Sequence, residues 1–460
     1  MDKTAGRKKM AGRAGGSARK DAGLLTIAGA GILLRFFYCL FSTIYERQYD
    51  IGEIDLAAGH TVSGGHLAYI QYVYESGHLP CMDFDPTSVY QFNHPPLHYA
   101  VSALWLRFAS LFIGNTAVLE ESIQIIPFIS SVLTLVFLIR ILGLLPMDRR
   151  GERLAAAVFA FHPALILLSG SVNNDGGGLL FTVLILYETM RWCRAQEWRT
   201  IVFLALWFGL GVMTKQNVAE MALPVGAAFL YIFAKQAGRR RKIVSQWAVF
   251  LLIACPLSLW FYLYNYVRWR VPLVWVYTLP EDSWQYVGNV PAVYRFLLPD
   301  CSELVSNLRQ GRIGCGYNTW IQIFRTSVLG EWDMAGAGRT VKILALLLMA
   351  AGALPAVISF IAMLDALLVR GVHYGVRRYD RILLLLTYAV TMLFYLKFVY
   401  DYPQQCSMNF RYITVTLVPT AAGAGIVYGS MKKPLRVFAA LLTAVFAFLS
   451  VLMTAVWCAM

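Results

Sequence analysis

Long apolar runs separated by short polar ones dominate the chain. In a window of about 19 residues, the runs at 22–44, 122–142, 154–170, 177–190, 200–215, 218–234, 244–266, 340–369, 382–399, 411–429 and 435–458 each predict a helix that crosses a bilayer. Lys and Arg gather in alternate connections: Arg149, Arg150 and Arg153; Arg191, Arg194 and Arg199; Lys235 with the basic run 239–242; Arg370, Arg377, Arg378 and Arg381; Lys432, Lys433 and Arg436. Basic connections face the cytoplasm, so these five loops give every span a direction. The run 95–113 is long enough to cross, yet counting it as a span would invert all five loops. It is therefore read as an amphipathic juxtamembrane helix with His94, His98 and Arg107 as polar points. The expected fold class is an all-α polytopic membrane protein of about eleven transmembrane helices, with juxtamembrane helices in the first extracytoplasmic loop and the C-terminus outside.

The rest of the chain divides accordingly. Residues 1–21 are small, polar and basic, through Arg7, Lys8, Lys9, Arg13, Arg19 and Lys20, and are expected to form a disordered cytoplasmic tail. The apolar run that follows is too long for a signal peptide and lacks a small-residue cleavage site. Residues 22–460 are expected to form one transmembrane domain that includes the extracytoplasmic segments 45–121 and 267–339.

Composition agrees with a membrane location. The chain is 58% hydrophobic and only 14% charged, with a mean hydropathy of +0.57, whereas a soluble domain carries about a quarter charged residues. A net charge of +14 would suggest nucleic acid in a soluble protein. Here the charge lies in the short connections and reports topology, so no nucleic-acid partner is expected.

Against that background the polar segment 45–98 stands out. It holds five of the seven histidines, His60, His66, His78, His94 and His98, together with Glu46, Asp50, Glu53, Asp55, Glu75, Asp83 and Asp85. Other polar residues fall at the same ends of later spans. Asp175 opens the fourth span after Asn173 and Asn174, Lys215 closes the fifth, and Arg411 and Tyr412 open the tenth.

Each has an ordinary explanation beside the functional one. Loop acids are usually solvated, Asp175 suits a helix N-terminus, and Lys215 suits a snorkelling position. Gly176, Gly177 and Gly178 suit close helix packing or backbone approach to a ligand. Pro95 and Pro96 make His94 a helix-start residue. His94 and His98, four residues apart, also suit a divalent metal, with His66 and Asp83 or Asp85 completing a shell, although no tight ligand motif is present. Arg35, inside the first span, requires a partner, either a lipid-phosphate cavity or another helix. Cys301 and Cys315 are a candidate bridge on the oxidising side, and the aromatic residues of 267–339 suit either sugar rings or an interface belt.

The stretches "YDIGEID", "GGHLAYIQYVYESGHLP", "QFNHPPLHYAVSALWLRF", "LSGSVNNDGGGLLF", "GLGVMTKQNVAEMALPVGAAFLY" and "CSMNFRYITVTLVP" fall in order on one face. Their order and spacing resemble the GT-C superfamily of polyprenyl-phosphate-sugar-dependent glycosyltransferases. The similarity is to the branch containing the protein O-mannosyltransferases and the lipid A aminoarabinose transferases. It covers the chain from the first span to about residue 429. In that branch the corresponding features are a first-loop acid, a [H/K]PPL juxtamembrane helix, an acid opening the fourth span, a "GLG..TK" turn and a late Arg-Tyr pair. Here they fall on the first-loop acids, on His94 to Leu97, on Asp175, on Gly209, Gly211, Thr214 and Lys215, and on Arg411 and Tyr412. One departure stands out. Where the family often has an Asp-Glu pair, this chain reads Val62, Ser63, Gly64, Gly65, His66.

The resemblance implies transfer of one sugar from a polyprenyl-phosphate donor to an acceptor glycan, protein or lipid on the extracytoplasmic face of the plasma membrane. A carboxylate near the attacking hydroxyl would act as general base in a single inverting displacement. With the Asp-Glu pair missing, Asp50 is the first choice for the base, and Glu53, Asp55 and Asp175 complete the catalytic candidates. Lys215 and Arg411 are expected to meet the leaving phosphate, with Arg295 and Arg325 as lesser candidates. His66, His94, His98, Asn174 and Tyr412 are expected to bind substrate. No cofactor is implied with certainty beyond a possible divalent metal. The alternative reading is a non-enzymatic transporter or flippase of lipid-linked glycans, which should carry inverted repeats and midplane ionisable groups. The placement of nearly all acids at outer loops and span ends favours an enzyme.

Overall fold

The computed structural model describes residues 21–45, 51–55, 61–304, 316–332, 334 and 336–460, with only the backbone course of 53–55 and 61–63. The principal helices are α1 (Ala22–Phe41), α2 (His66–Ser76), α3 (Leu97–Ala109), α4 (Ile125–Leu142), α5 (Arg149–Phe161), α6 (Asp175–Ala195), α7 (Trp198–Thr214), α8 (Ala222–Lys235), α9 (Arg240–Trp269), α10 (Thr319–Leu329), α11 (Arg339–Met363), α12 (Arg378–Asp401), α13 (Leu417–Tyr428) and α14 (Lys433–Ala459). A three-residue antiparallel pair, β1 (Glu53–Asp55) with β2 (Thr61–Ser63), leaves the all-α class intact.

Among the described residues, eight helical segments are long and apolar enough to cross a membrane: those containing α1, α4, α8, α9, α11, α12, α13 and α14. The protein is an integral membrane protein. The other three predicted spans also fall on helices. Residues 154–170 coincide with α5 and the short helix Pro163–Leu167, 177–190 with α6, and 200–215 with α7, an apolar helix of 17 residues.

α6 lies at the centre of the bundle, packed against α4, α7, α8 and α12. Its Val183, Ile185, Leu186, Met190 and Trp192 are completely buried. This position explains why a chain segment carrying Glu188, Arg191 and Arg194 is helical within the bundle. Its buried Glu188 pairs with Arg191 at 3.1 Å, and Arg194 makes a two-pronged bond to Asp380 of α12.

The segment containing residues 95–113 begins and ends at one end of the bundle. Ile44, just after α1, donates its N–H to the Glu121 carboxylate at 3.1 Å, and Gln124 Nε2 donates to the Ser42 carbonyl at 3.2 Å. The exit of the first span and the entry of the next are thus bonded together, so the segment between them leaves and returns at one end of the bundle. Within it α3 packs on α2, burying His98, Tyr99, Ser102, Leu106 and Ala109. Its other face exposes Val101, Leu104 and Phe108, followed by Leu111 and Phe112, as expected for a helix lying at an interface.

Arg35 is 1% exposed and holds three helices together. Pro163 has no N–H, so the Phe159 carbonyl loses its helical donor and α5 ends at an extended His162. Arg35 supplies the missing donors, with Nη2 to the Phe159 carbonyl at 2.9 Å and Nη1 to the Ala160 carbonyl at 2.8 Å. Its Nε reaches Ser131 Oγ of α4 at 2.9 Å. Of the two partners open to Arg35 in the sequence, the structure supplies the helix. Replacing Arg35 with Leu leaves those carbonyls unsatisfied and is expected to cost about 3 kcal/mol. The detergent-solubilised variant should melt several degrees below the wild type, and an unchanged melting midpoint would refute this role.

Candidate functional site

At the end of the bundle where α1 exits and α4 enters, residues distant in sequence converge. Asp175 begins α6, and Asn173 Oδ1 already accepts its backbone N–H at 3.1 Å. Its carboxylate is therefore not spent on capping its own helix. It pairs instead with Lys215, just beyond the end of α7, and its second oxygen lies 3.6 Å from Arg411 Nε. The glycines after Asp175 allow this approach. A Cβ on Gly177 would lie 2.8 Å from Thr214 Cγ2, and one on Gly178 would lie 3.1 Å from Lys215 Cβ. Asn174 ties the same two helix ends through Nδ2 to the Thr214 carbonyl at 3.0 Å.

Arg411 stands on the 3₁₀ segment Phe410–Thr416, whose first turn is capped by Asn409 Oδ1 accepting the Arg411 N–H at 2.9 Å. The guanidinium bonds Tyr412 Oη at 3.2 Å, and Lys215 Nζ lies 4.8 Å from the centre of the Tyr412 ring. On its other side Arg411 Nη1 lies 3.4 Å from Glu331, whose carboxylate also accepts from Asn409 Nδ2 at 2.8 Å. Two cations and two carboxylates therefore form one chain, Lys215, Asp175, Arg411, Glu331. An open cleft adjoins it, lined by Tyr38, Asn173, Glu331, Trp332, Asn409 and Arg411 among others.

The histidines form the neighbouring wall. His66 Nδ1 is hydrogen-bonded to Tyr99 Oη at 2.7 Å, and its ring stacks on His94 with centroids 5.6 Å apart. His94 bonds the Gln91 carboxamide. Burial holds the His66 pKa well below its ordinary value, and the charges of His94, Arg411, His98 and Lys215 push it the same way. His98 donates from Nε2 to the Val172 carbonyl at 3.2 Å, beside Asn173, and burial brings its pKa down to about 4. The His66 and His98 rings are therefore neutral at neutral pH and serve as hydrogen-bonding walls rather than cations.

The structure thus brings together His66, His94, His98, Asn174, Asp175, Lys215, Arg411 and Tyr412. Asp50 lies outside the described residues, as does Cys315, while Cys301 is a free thiol. Glu53 and Asp55 lie on β1, a strand whose side chains are not described. Asp83 and Asp85 do not join His66 in a metal shell. Asp83 pairs with His78 at 3.0 Å and Asp85 caps the turn at Thr87, and no group of three or more potential ligands is placed to hold a metal among the described residues. Arg325 bonds Gln322 at 3.1 Å. Glu331 was missed. Its only signal in the sequence is an acid in the Gly-Glu-Trp stretch 330–332 just ahead of an apolar run.

Residues 93–261 match the family model for dolichyl-phosphate-mannose-protein mannosyltransferase. That stretch contains His94, His98, Asp175 and Lys215. The oligosaccharyltransferase of Archaeoglobus fulgidus, solved with a tethered acceptor peptide containing the NVT sequon, superposes with a TM-score of 0.52 over 95% of this chain. The fold is GT-C-like. The match to that archaeal enzyme has 14% identity, a likeness of fold, and covers 55% of its length, so this chain spans about half of it. The same enzyme in complex with an inhibitory peptide and a dolichol-phosphate gives a TM-score of 0.51 at 14% identity, covering 96% of this chain and 56% of that one. ArnT from Cupriavidus metallidurans bound to undecaprenyl phosphate aligns over 89% of this chain and 78% of its own at 13% identity, with a TM-score of 0.39, at which the likeness decides nothing. No curated protein sequence matches.

The His98 site has a measurable pH signature. Its pKa in the folded protein is about 4, below the ordinary 6.5 of the unfolded chain. The unfolded state therefore binds more protons between those values, and stability is lost as pH falls from 6.5 towards 4, by up to about 3 kcal/mol. Melting curves across that range should show a smaller acid-induced drop for His98→Asn than for the wild type. Parallel pH dependences would contradict the assignment.

Proposed function

We propose that the protein transfers a single sugar from a polyprenyl-phosphate carrier to an acceptor glycan, protein or lipid on the extracytoplasmic side of the plasma membrane. The observation that carries this reading is the convergence of Lys215 and Arg411 on Asp175 at one end of the bundle, in a chain whose residues 93–261 match the mannosyltransferase family model. The basic connections at the other end, including Arg194, Arg370 and Arg381, support a cytoplasmic face there. The sugar-bearing end is then the extracytoplasmic one, with the N-terminus inside.

The chemistry follows from the charges. The acceptor oxygen bonds the anomeric carbon, the bond from that carbon to the phosphate oxygen breaks, and its electron pair stays on the phosphate. Lys215 and Arg411 stabilise the negative charge that develops there. The acceptor proton passes to a carboxylate base. Asp50 is the favoured base, as the first-loop acid that the resemblance puts in place of the missing Asp-Glu pair. Glu53 and Asp55 are the further choices. Asp175 orients both cations, and the histidine wall with Asn174 and Tyr412 lines the donor. A single displacement inverts the anomeric configuration.

The test is purified full-length protein supplied with a panel of polyprenyl-phosphate sugars and a cell-envelope extract. Asp50→Asn and Asp175→Asn should each lower glycosidic bond formation by about a hundredfold or more. Wild-type rates in both variants would end the mechanism. Movement of the lipid across liposomes with no glycosidic bond formed would replace the enzyme reading with a transporter.

A further inference from the structure

Arg411 is held by two carboxylates of unequal standing. Asp175 is fixed: its side chain is 4% exposed, it sits in the first turn of the buried helix α6, and it pairs with Lys215 as well as Arg411. Glu331 is placed differently. Its side chain is 13% exposed, it lines the open cleft, and it lies outside any helix, one residue past Gly330. Gly330 ends α10 with φ +59, and a Cβ there would meet Leu167 Cδ1 at 2.5 Å, so a glycine is needed to turn the chain toward Arg411. Glu331 thus approaches Arg411 from the end of a turn, whereas Asp175 approaches from a packed helix.

Charge counting gives this difference a consequence. Among the described groups, Asp175 and Glu331 already occupy Lys215 and Arg411, with Glu220 acting on Lys215 as well, so an incoming anion must compete with carboxylates in place. Withdrawal of Glu331 leaves one more unit of positive charge beside the cleft, which favours the single negative charge of a sugar phosphodiester. After transfer the lipid leaves as a monoester carrying about −1.5 to −2 at neutral pH. The product is therefore held more strongly than the donor, and its release needs a competing anion. A carboxylate tethered beside Arg411 is such a competitor at high effective concentration.

We propose that Glu331 is an exchangeable counter-ion: it yields Arg411 to the carrier phosphate and reclaims it to release the lipid phosphate product. This rests on the donor chemistry proposed above. Glu331 is a positioning residue in this scheme, acting through Arg411 without touching the reacting atoms.

The test measures binding of undecaprenyl phosphate to the full chain in detergent for the wild type, E331Q, E331D and K215M. E331Q removes the charge but keeps an oxygen to accept from Asn409, so its melting midpoint should stay near that of the wild type. E331Q is expected to bind the lipid about tenfold more tightly, E331D to bind like the wild type, and K215M to bind more weakly. Equal or weaker binding by E331Q overturns the proposal, because an arginine aligned only for structure would lose affinity with its partner. Binding by E331D as tight as by E331Q overturns it too, since the charge would then be irrelevant. If wild-type binding depends on Lys215 while E331Q is unchanged, only the counter-ion role falls. If neither the wild type nor E331Q binds, the polyprenyl-phosphate reading falls with it.

Discussion

The pairing of Asp175 with Lys215 is the constraint on which the rest of the site depends. Both side chains are at most 11% exposed, and a buried charge without its partner costs several kcal/mol. The ends of α6 and α7 must therefore meet. That requirement explains the glycines that follow Asp175, which leave no side chain between the two helices. It also explains Asn173 and Asn174, one satisfying the Asp175 N–H and the other bonding the last carbonyl of α7. With these jobs done by amides, the carboxylate is left to organise cations.

The bundle around this pair serves to hold it at one end. Arg35 fastens α1 to the break in α5, and Trp192 with Gln246 and the Gln196 carbonyl fastens α6 to α9 at the opposite end. The clamp of Arg194 on Asp380 adds α12 there. Helices restrained at the far end and along their length deliver their near ends with little freedom, which is what a pre-organised electrostatic site needs. The histidine wall is added from the segment between α1 and α4, whose two ends are bonded to each other through Glu121.

Much of the fold was legible because hydropathy and basic connections respond to the same membrane. The eleven apolar runs fall on helices, and a juxtamembrane course for 95–113 agrees with the bonding between Ile44 and Glu121. The site was legible where a polar residue stood at a span end. Asp175, Lys215 and Arg411 were conspicuous for that reason. Glu331 was not, since an acid in a long polar loop looks solvated, and only the turn at Gly330 brings it to Arg411. The metal shell read from His66, Asp83 and Asp85 had the right ligand types but the wrong neighbours. Asp83 and Asp85 belong to their own turns, and His98 spends its ring nitrogen on a backbone carbonyl. Spacing of four residues puts two histidines on one helix face, yet it does not say which groups face them.

The central claim is that Asp175 and Lys215 act as one unit. A double-mutant cycle with Asp175→Asn, Lys215→Gln and the double variant, read by reversible unfolding in detergent, measures that directly. The account predicts a coupling energy of about 2 kcal/mol or more, with the double variant more stable than the sum of the single losses implies. Losses that add to within about 0.5 kcal/mol would contradict it.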